Sequence, residues 1–155
     1  MKKFWQTIGI ITFWVLWPFW LVYFKLGGPR ARVLIMYDNK VLLVKSWVGA
    51  GLYDLPGGGR HRHETMAQAA VREVREETGI ELSTDKLTQL YESDYHEHGL
   101  RAHYICFSVT LTEAPHIKPG HPEITDFMWL QPSDIDPRNV GSHVPAAIKA
   151  YESLG

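Results

Sequence analysis

Hydrophobic and polar positions divide the chain into segments of different period. Residues 4–24 form an uncharged run of 21, flanked by Lys2, Lys3 and Lys25. Residues 31–37 and 41–47 are rich in aliphatic side chains and surround Asp38-Asn39, which predicts two strands joined by a turn. Leu55-Pro56-Gly57-Gly58-Gly59 breaks any regular element. Thr65 followed by Gln68 is a capping-box signature, and Gly79 suits a helix end, so a helix is predicted over residues 66–78. Residues 86–95, 102–112 and 125–130 read as further strands, with a Pro- and Gly-containing loop over 113–122. Ala147, Ile148, Tyr151 and Leu154 recur at helical spacing and predict a closing helix over 144–154.

The helix over 66–78 carries the unusual chemistry. At about 100° per residue, Met66, Ala70, Glu73 and Glu77 share one stripe. Gln68, Arg72 and Arg75 fall on the far side, and Glu76 lies at the edge of the stripe. Glu76 has Arg72 four residues earlier as a partner. Glu73 and Glu77 have no Lys or Arg at helical contact spacing. Two carboxylates about 6 Å apart repel by roughly 3 kcal/mol at an effective dielectric of about 20. Three such pairs would cost on the order of 8 kcal/mol, comparable to the stability of a domain. The cluster must take up protons or a divalent cation, unless it is a solvated acidic face. Its place among apolar residues favours the cation, Mg²⁺ in a diphosphate-cleaving site.

The full pattern is Gly58, five residues, Glu64, seven residues, then Arg72-Glu73-Val74-x-Glu76-Glu77-x-Gly79-Ile80. It resembles the Nudix box at every defined position, and the Leu55-Pro56-Gly57-Gly58 lead-in is similar too. The resemblance implies an α/β fold, an α/β/α sandwich with a mixed sheet. It implies metal-dependent hydrolysis of a diphosphate linkage in a nucleoside diphosphate derivative. It also implies Mg²⁺, or Mn²⁺ in its place, held by Glu73, Glu76 and Glu77 with help from the Gly58 carbonyl. Arg72 resembles the family's orienting arginine, and Glu64 the first glutamate of the box, a ligand in some members and structural in others.

Attack at phosphorus needs a carboxylate to take the water's proton. Glu73, Glu76 and Glu123 are the candidates; Glu123 stands six residues before Trp129, where several relatives carry a distal carboxylate. Its alternative reading is an ordinary loop glutamate. Arg60, in the basic turn Arg60-His61-Arg62-His63, is a candidate phosphate contact or part of a solvated turn. The turn departs from the family pattern, with His63 where most relatives have Gly before Glu64. Trp47, Tyr53, Tyr91 and Tyr95 could stack a base or fill the core. No substrate marker is clear.

The apolar run changes the picture of the whole chain. At 1.5 Å per residue it spans about 31 Å, close to a bilayer's hydrocarbon thickness. Four of the six Trp lie in it, with Trp5, Trp20 and Tyr23 near its ends as an interfacial belt would place them. It is too long for a signal-peptide core and lacks a small-residue cleavage site. Residues 1–28 are therefore expected to be a transmembrane anchor and linker, and residues 29–155 the Nudix domain. Flanking charges slightly favour a cytoplasmic domain. A net charge of −1 gives no global basic field for nucleic acid. Cys106 is the single cysteine, in a strand-like run, and reads as a core thiol. The eight His lack zinc-ligand spacing. Two alternatives accompany the main expectation. One is a membrane-associated or nucleotide-sugar diphosphate as substrate. The other is a non-catalytic nucleotide-binding module, which the intact box disfavours. Oligomeric state is not legible.

Overall fold

Asp38 and Asn39 both adopt positive φ, 49° and 56°. That backbone matches strand twist in a two-residue hairpin, and it folds β1 (Arg30–Tyr37) back onto β2 (Lys40–Ser46). This computed structural model describes residues 28–47, 51–97, 100–118 and 123–154. The expected anchor over residues 4–24 lies outside them. Among the described residues no helix is long and apolar enough to cross a membrane.

Beyond the hairpin the two strands part. β2 pairs antiparallel with β3 (Tyr53–Asp54) and with β6 (Ile124–Leu130). β1 pairs in parallel with β5 (Leu100–Thr110), from Arg30↔Tyr104 to Met36↔Thr110. β5 in turn pairs antiparallel with β4 (Thr88–Glu97). The sheet is mixed, as expected. On its parting side β1 is satisfied by the glycine segment: Ala31 N–H donates to the Gly58 carbonyl and Val33 N–H to the Pro56 carbonyl, both at 2.9 Å. This lays residues 56–59 along a buried strand.

Helix α1 (Met66–Thr78) has the predicted bounds and the predicted cap. Thr65 Oγ1 accepts from Gln68 N–H, and Gln68 Oε1 accepts from Thr65 N–H. Its Ala69, Ala70 and Val74 bury against Ala31, Val33, Ile35 and Leu42 on one sheet face. Helix α2 (His143–Glu152) lies on the other, where Val144 and Ala147 meet Leu34, Met36, Leu43 and buried Cys106. Strand alternation in β1 thus feeds two cores, which makes the α/β/α layering.

Several boundaries differ from expectation. Residues 84–86 form a 3₁₀ turn, so β4 starts at Thr88. β5 ends at Thr110, after which Leu111 N–H bonds the Met36 carbonyl across the sheet. β3 and the 3₁₀ turn Pro132–Asp134 are too short for any period to reveal.

Candidate active site

The acidic face of α1 lies directly under the glycine segment. A Cβ at Gly58 would sit 2.7 Å from both carboxylate oxygens of Glu73, so only glycine lets loop and helix approach this closely. Gly57 has φ 140°, and a side chain there would run into the Ala31 carbonyl. Its N–H donates to Glu77 Oε2 at 2.9 Å. The two glycines are held between β1 on one side and two carboxylates on the other.

Arg72 organises the remaining acids. Its Nε and Nη2 grip Glu64 Oε1 and Oε2 at 2.7 and 3.0 Å. Nη1 reaches Glu73 Oε1 at 2.7 Å and Glu76 Oε2 at 3.2 Å, and Nη2 also donates to the Gly59 carbonyl at 2.8 Å. This corrects the expectation that Glu73 lacks a local cation and that Arg72 sits on the far side. The helical wheel follows Cβ directions; a long guanidinium side chain curls back, and only 15% of it stays exposed. The pairing of Glu76 with Arg72 is as expected, and Glu76 is 42% exposed.

The electrostatics separate the acids by role. The bonds from Arg72 hold Glu64 down to about 2, with His61 N–H adding a further donor at 2.9 Å. Glu64 is a permanent anion committed to Arg72. Burial pushes Glu77 up to about 8, against the lowering effect of Arg32 and the Gly57 N–H, while the charges of Glu73 and Glu123 push it further up. Glu123 is therefore brought toward α1 from the start of β6. Its Oε1 accepts from Ser46 Oγ at 3.3 Å, and its carbonyl accepts from Trp47 N–H at 3.0 Å.

Arg32 and Asp54 belong to this neighbourhood and were not singled out in the sequence. The Arg32 guanidinium donates to the Gly57 carbonyl and stands 3.5 Å from Asp54 Oδ2. Burial opposes its charge, yet Asp54, Tyr104, Glu77 and Glu73 together hold its pKa above the ordinary value. Burial likewise opposes the Asp54 charge; Arg32, His143 and the Leu55 N–H outweigh it and keep Asp54 below the usual carboxylate range. The available signal was an Arg alternating with the inward-facing Ala31 and Val33.

The other predicted residues stand outside the carboxylate cluster of α1. Arg60 is exposed and donates from Nη1 to the Glu64 carbonyl at 3.0 Å. Trp47 is half-buried, with its backbone on Glu123. Tyr53 donates its hydroxyl to Asp126 Oδ2 at 3.0 Å and carries Lys45 Nζ 5.0 Å from its ring centroid, which ties it to β2 and β6. Tyr91 donates to the His143 carbonyl on the α2 side of the sheet. The side chain of Tyr95 lies outside the described residues.

This donor set is all carboxylate oxygen, the chemistry of a hard divalent cation. Among the described residues no three His, Cys, Asp or Glu already stand together at ligand spacing. Glu73 is turned into Arg72, and Glu77 onto the Gly57 N–H. The fit is thus one of donor chemistry, an all-oxygen set, and not of a preformed cage. The Gly58 carbonyl already accepts the Ala31 N–H and keeps a second lone pair.

The NUDIX domain model matches residues 28–153, from the linker through α2. The chain belongs to the Nudix family. The domain and its relatives make it a Nudix hydrolase; it is similar to a MutT-like protein of Streptomyces ambofaciens, 26% identical over 125 residues, covering 81% of this chain and 77% of that one. An ADP-ribose pyrophosphatase of Methanocaldococcus jannaschii is 40% identical over 62 residues, covering 39% of this chain and 37% of that protein. Among solved structures, a bifunctional NMN adenylyltransferase/ADP ribose pyrophosphatase of Francisella tularensis, complexed with AMP and a Mn ion, superposes with a TM-score of 0.69 at 21% identity. That alignment covers 88% of this chain and 47% of the Francisella chain, and it establishes the shared Nudix fold.

Proposed function

We propose that this Nudix hydrolase cleaves the diphosphate bridge of a nucleoside diphosphate derivative by water attack at phosphorus, with Mg²⁺ or Mn²⁺ as cofactor. The observation that carries the reading is Glu77, a half-buried carboxylate pushed up to about 8 by desolvation, with the charges of Glu73 and Glu123 adding to the rise. Such a group is costly unless a cation replaces its proton. Glu73, Glu76 and Glu77 would hold the cation, with the Gly58 carbonyl as a further oxygen. When bound, a divalent cation neutralises the non-bridging oxygens of the diphosphate.

The protein's own groups do the rest. Arg72 fixes the direction of Glu73 and Glu76, and Glu64 fixes Arg72 by two parallel bonds. Glu76, bonded only to Arg72, and Glu123, bonded to Ser46, are the proposed acceptors of the water's proton. Arg60 stands on the loop leading to Glu64 as a phosphate contact, with Trp47 and Tyr53 as substrate contacts. The partial similarity to an ADP-ribose pyrophosphatase supports ADP-ribose as the first substrate to try. With Mg²⁺, a panel of ADP-ribose, nucleotide sugars, dinucleoside polyphosphates and nucleoside triphosphates should yield nucleoside monophosphate or pyrophosphate from at least one compound. Nucleotide binding without hydrolysis of any would refute the reading.

A second element of the proposal rests on the sequence. Residues 4–24 anchor the chain in a bilayer, with the hydrolase domain on the cytoplasmic side. This supports a membrane-associated diphosphate as the alternative substrate. Comparing rates on detergent-solubilised lipid diphosphates with those on soluble nucleotides tests it.

A further inference from the structure

We propose that the turn Arg60-His61-Arg62-His63 docks on an anionic lipid surface and thereby sets the Nudix site against the bilayer. The inference rests on the anchor reading above and adds a second, electrostatic contact to it. The chain enters the domain at Gly28-Pro29, directly beside this turn. The Pro29 carbonyl accepts Arg60 N–H at 3.1 Å, Arg30 is in register with Gly59, and a Cβ at Gly28 would lie 3.9 Å from the Arg60 carbonyl. Three residues separate Phe24, the last of the apolar run, from Gly28, so four Cα–Cα steps join them. Fully extended they reach at most about 14 Å. With residues 4–24 in the bilayer as proposed above, that reach keeps the turn near the headgroup layer and the roughly 8 Å Debye screening distance beyond it.

The chemistry of the turn fits that place. All four side chains are exposed. Those of Arg62 and His63 have no ion-pair partner among the described residues. The one acid within the loop, Glu64, is taken by Arg72. Arg62, exposed and with no neutralising carboxylate, suits phosphatidylglycerol-like headgroups. The same loop is bonded into the catalytic network, through Arg60 to the Glu64 carbonyl and through His61 N–H to Glu64 Oε2. A surface holding residues 60–63 therefore also fixes the orientation of Glu64 and Arg72.

The test uses the full chain in phosphatidylcholine vesicles with or without phosphatidylglycerol. A bimane at His63→Cys reports approach to headgroup-spin-labelled lipid; Cys106 is buried and does not compete for label. Flotation with both vesicle types is expected from the anchor. Bimane quenching only in the anionic vesicles, lost in high salt, is expected from the docking. Arg62→Gln should weaken that docking about fivefold, the effect of one arginine at an anionic surface. Flotation with both vesicles and equal quenching in both would overturn the docking and leave the anchor standing. Flotation with neither would overturn both. Salt-sensitive quenching by RNA instead of lipid would assign the turn to a nucleic acid and overturn the lipid proposal.

Discussion

Gly58 and Arg72 are the residues on which the site's geometry turns. Gly58→Ala would place a methyl 2.7 Å from the Glu73 oxygens, so either the carboxylate or the loop must move. Overpacking of this kind costs about 1–3 kcal/mol. Urea unfolding should register that loss, and hydrolysis should fall with it; a fully active, equally stable variant would contradict the close approach. Arg72→Lys keeps the charge and loses the fork that grips Glu64 at 2.7 and 3.0 Å. Supporting-residue losses of this kind reduce activity by roughly 10–100-fold. Steady-state kinetics should show the fall mainly in kcat, since the affected groups orient ligands to the reaction. A variant with unchanged kcat would remove Arg72 from the account.

At the scale of elements, α1 holds the acidic residues in register and depends on its N-cap. Thr65→Ala removes the hydroxyl that accepts Gln68 N–H and should cost about 1 kcal/mol. Thermal melting should show a drop of about 2–4 °C for a chain of this size; no change would mean the cap is dispensable. This helix was legible to the residue because its start, its end and its apolar stripe all carry local signals. The hairpin was equally legible from Asp38-Asn39. The parallel β1–β5 pairing was not, because nothing in either strand names a partner some seventy residues away; Arg32↔Cys106 is a tertiary fact. The carboxylates of the site were legible from spacing, but their partners were not. Arg72 reaches Glu73 by curling along the helix, and Arg32 arrives from a strand.

For the whole molecule, the desolvated carboxylate of Glu77 links pH, metal and stability. Glu77 rises from an ordinary 4.5 to about 8 on folding. Below pH 4.5 it is protonated in both states and costs nothing. Between 4.5 and 8 the unfolded chain releases this proton while the folded one retains it, so stability falls by a few kcal/mol. Glu64 acts oppositely, its contribution disappearing as pH drops from 4.5 toward 2. Metal-free protein should therefore lose stability from pH 5 to 8 in urea titrations, and Glu77→Gln should flatten that slope. Mg²⁺ should restore stability at pH 8 by binding the folded state alone. A slope unchanged by the substitution would contradict this assignment. The central claim, that Glu77 holds a divalent cation for diphosphate hydrolysis, is tested most directly by single-turnover cleavage of the best panel substrate. The measurement compares wild type and Glu77→Gln across a Mg²⁺ titration. The account predicts a rate lowered by at least about 100-fold and a Mg²⁺ requirement moved to higher concentration. Equal rates with the same Mg²⁺ dependence would contradict it.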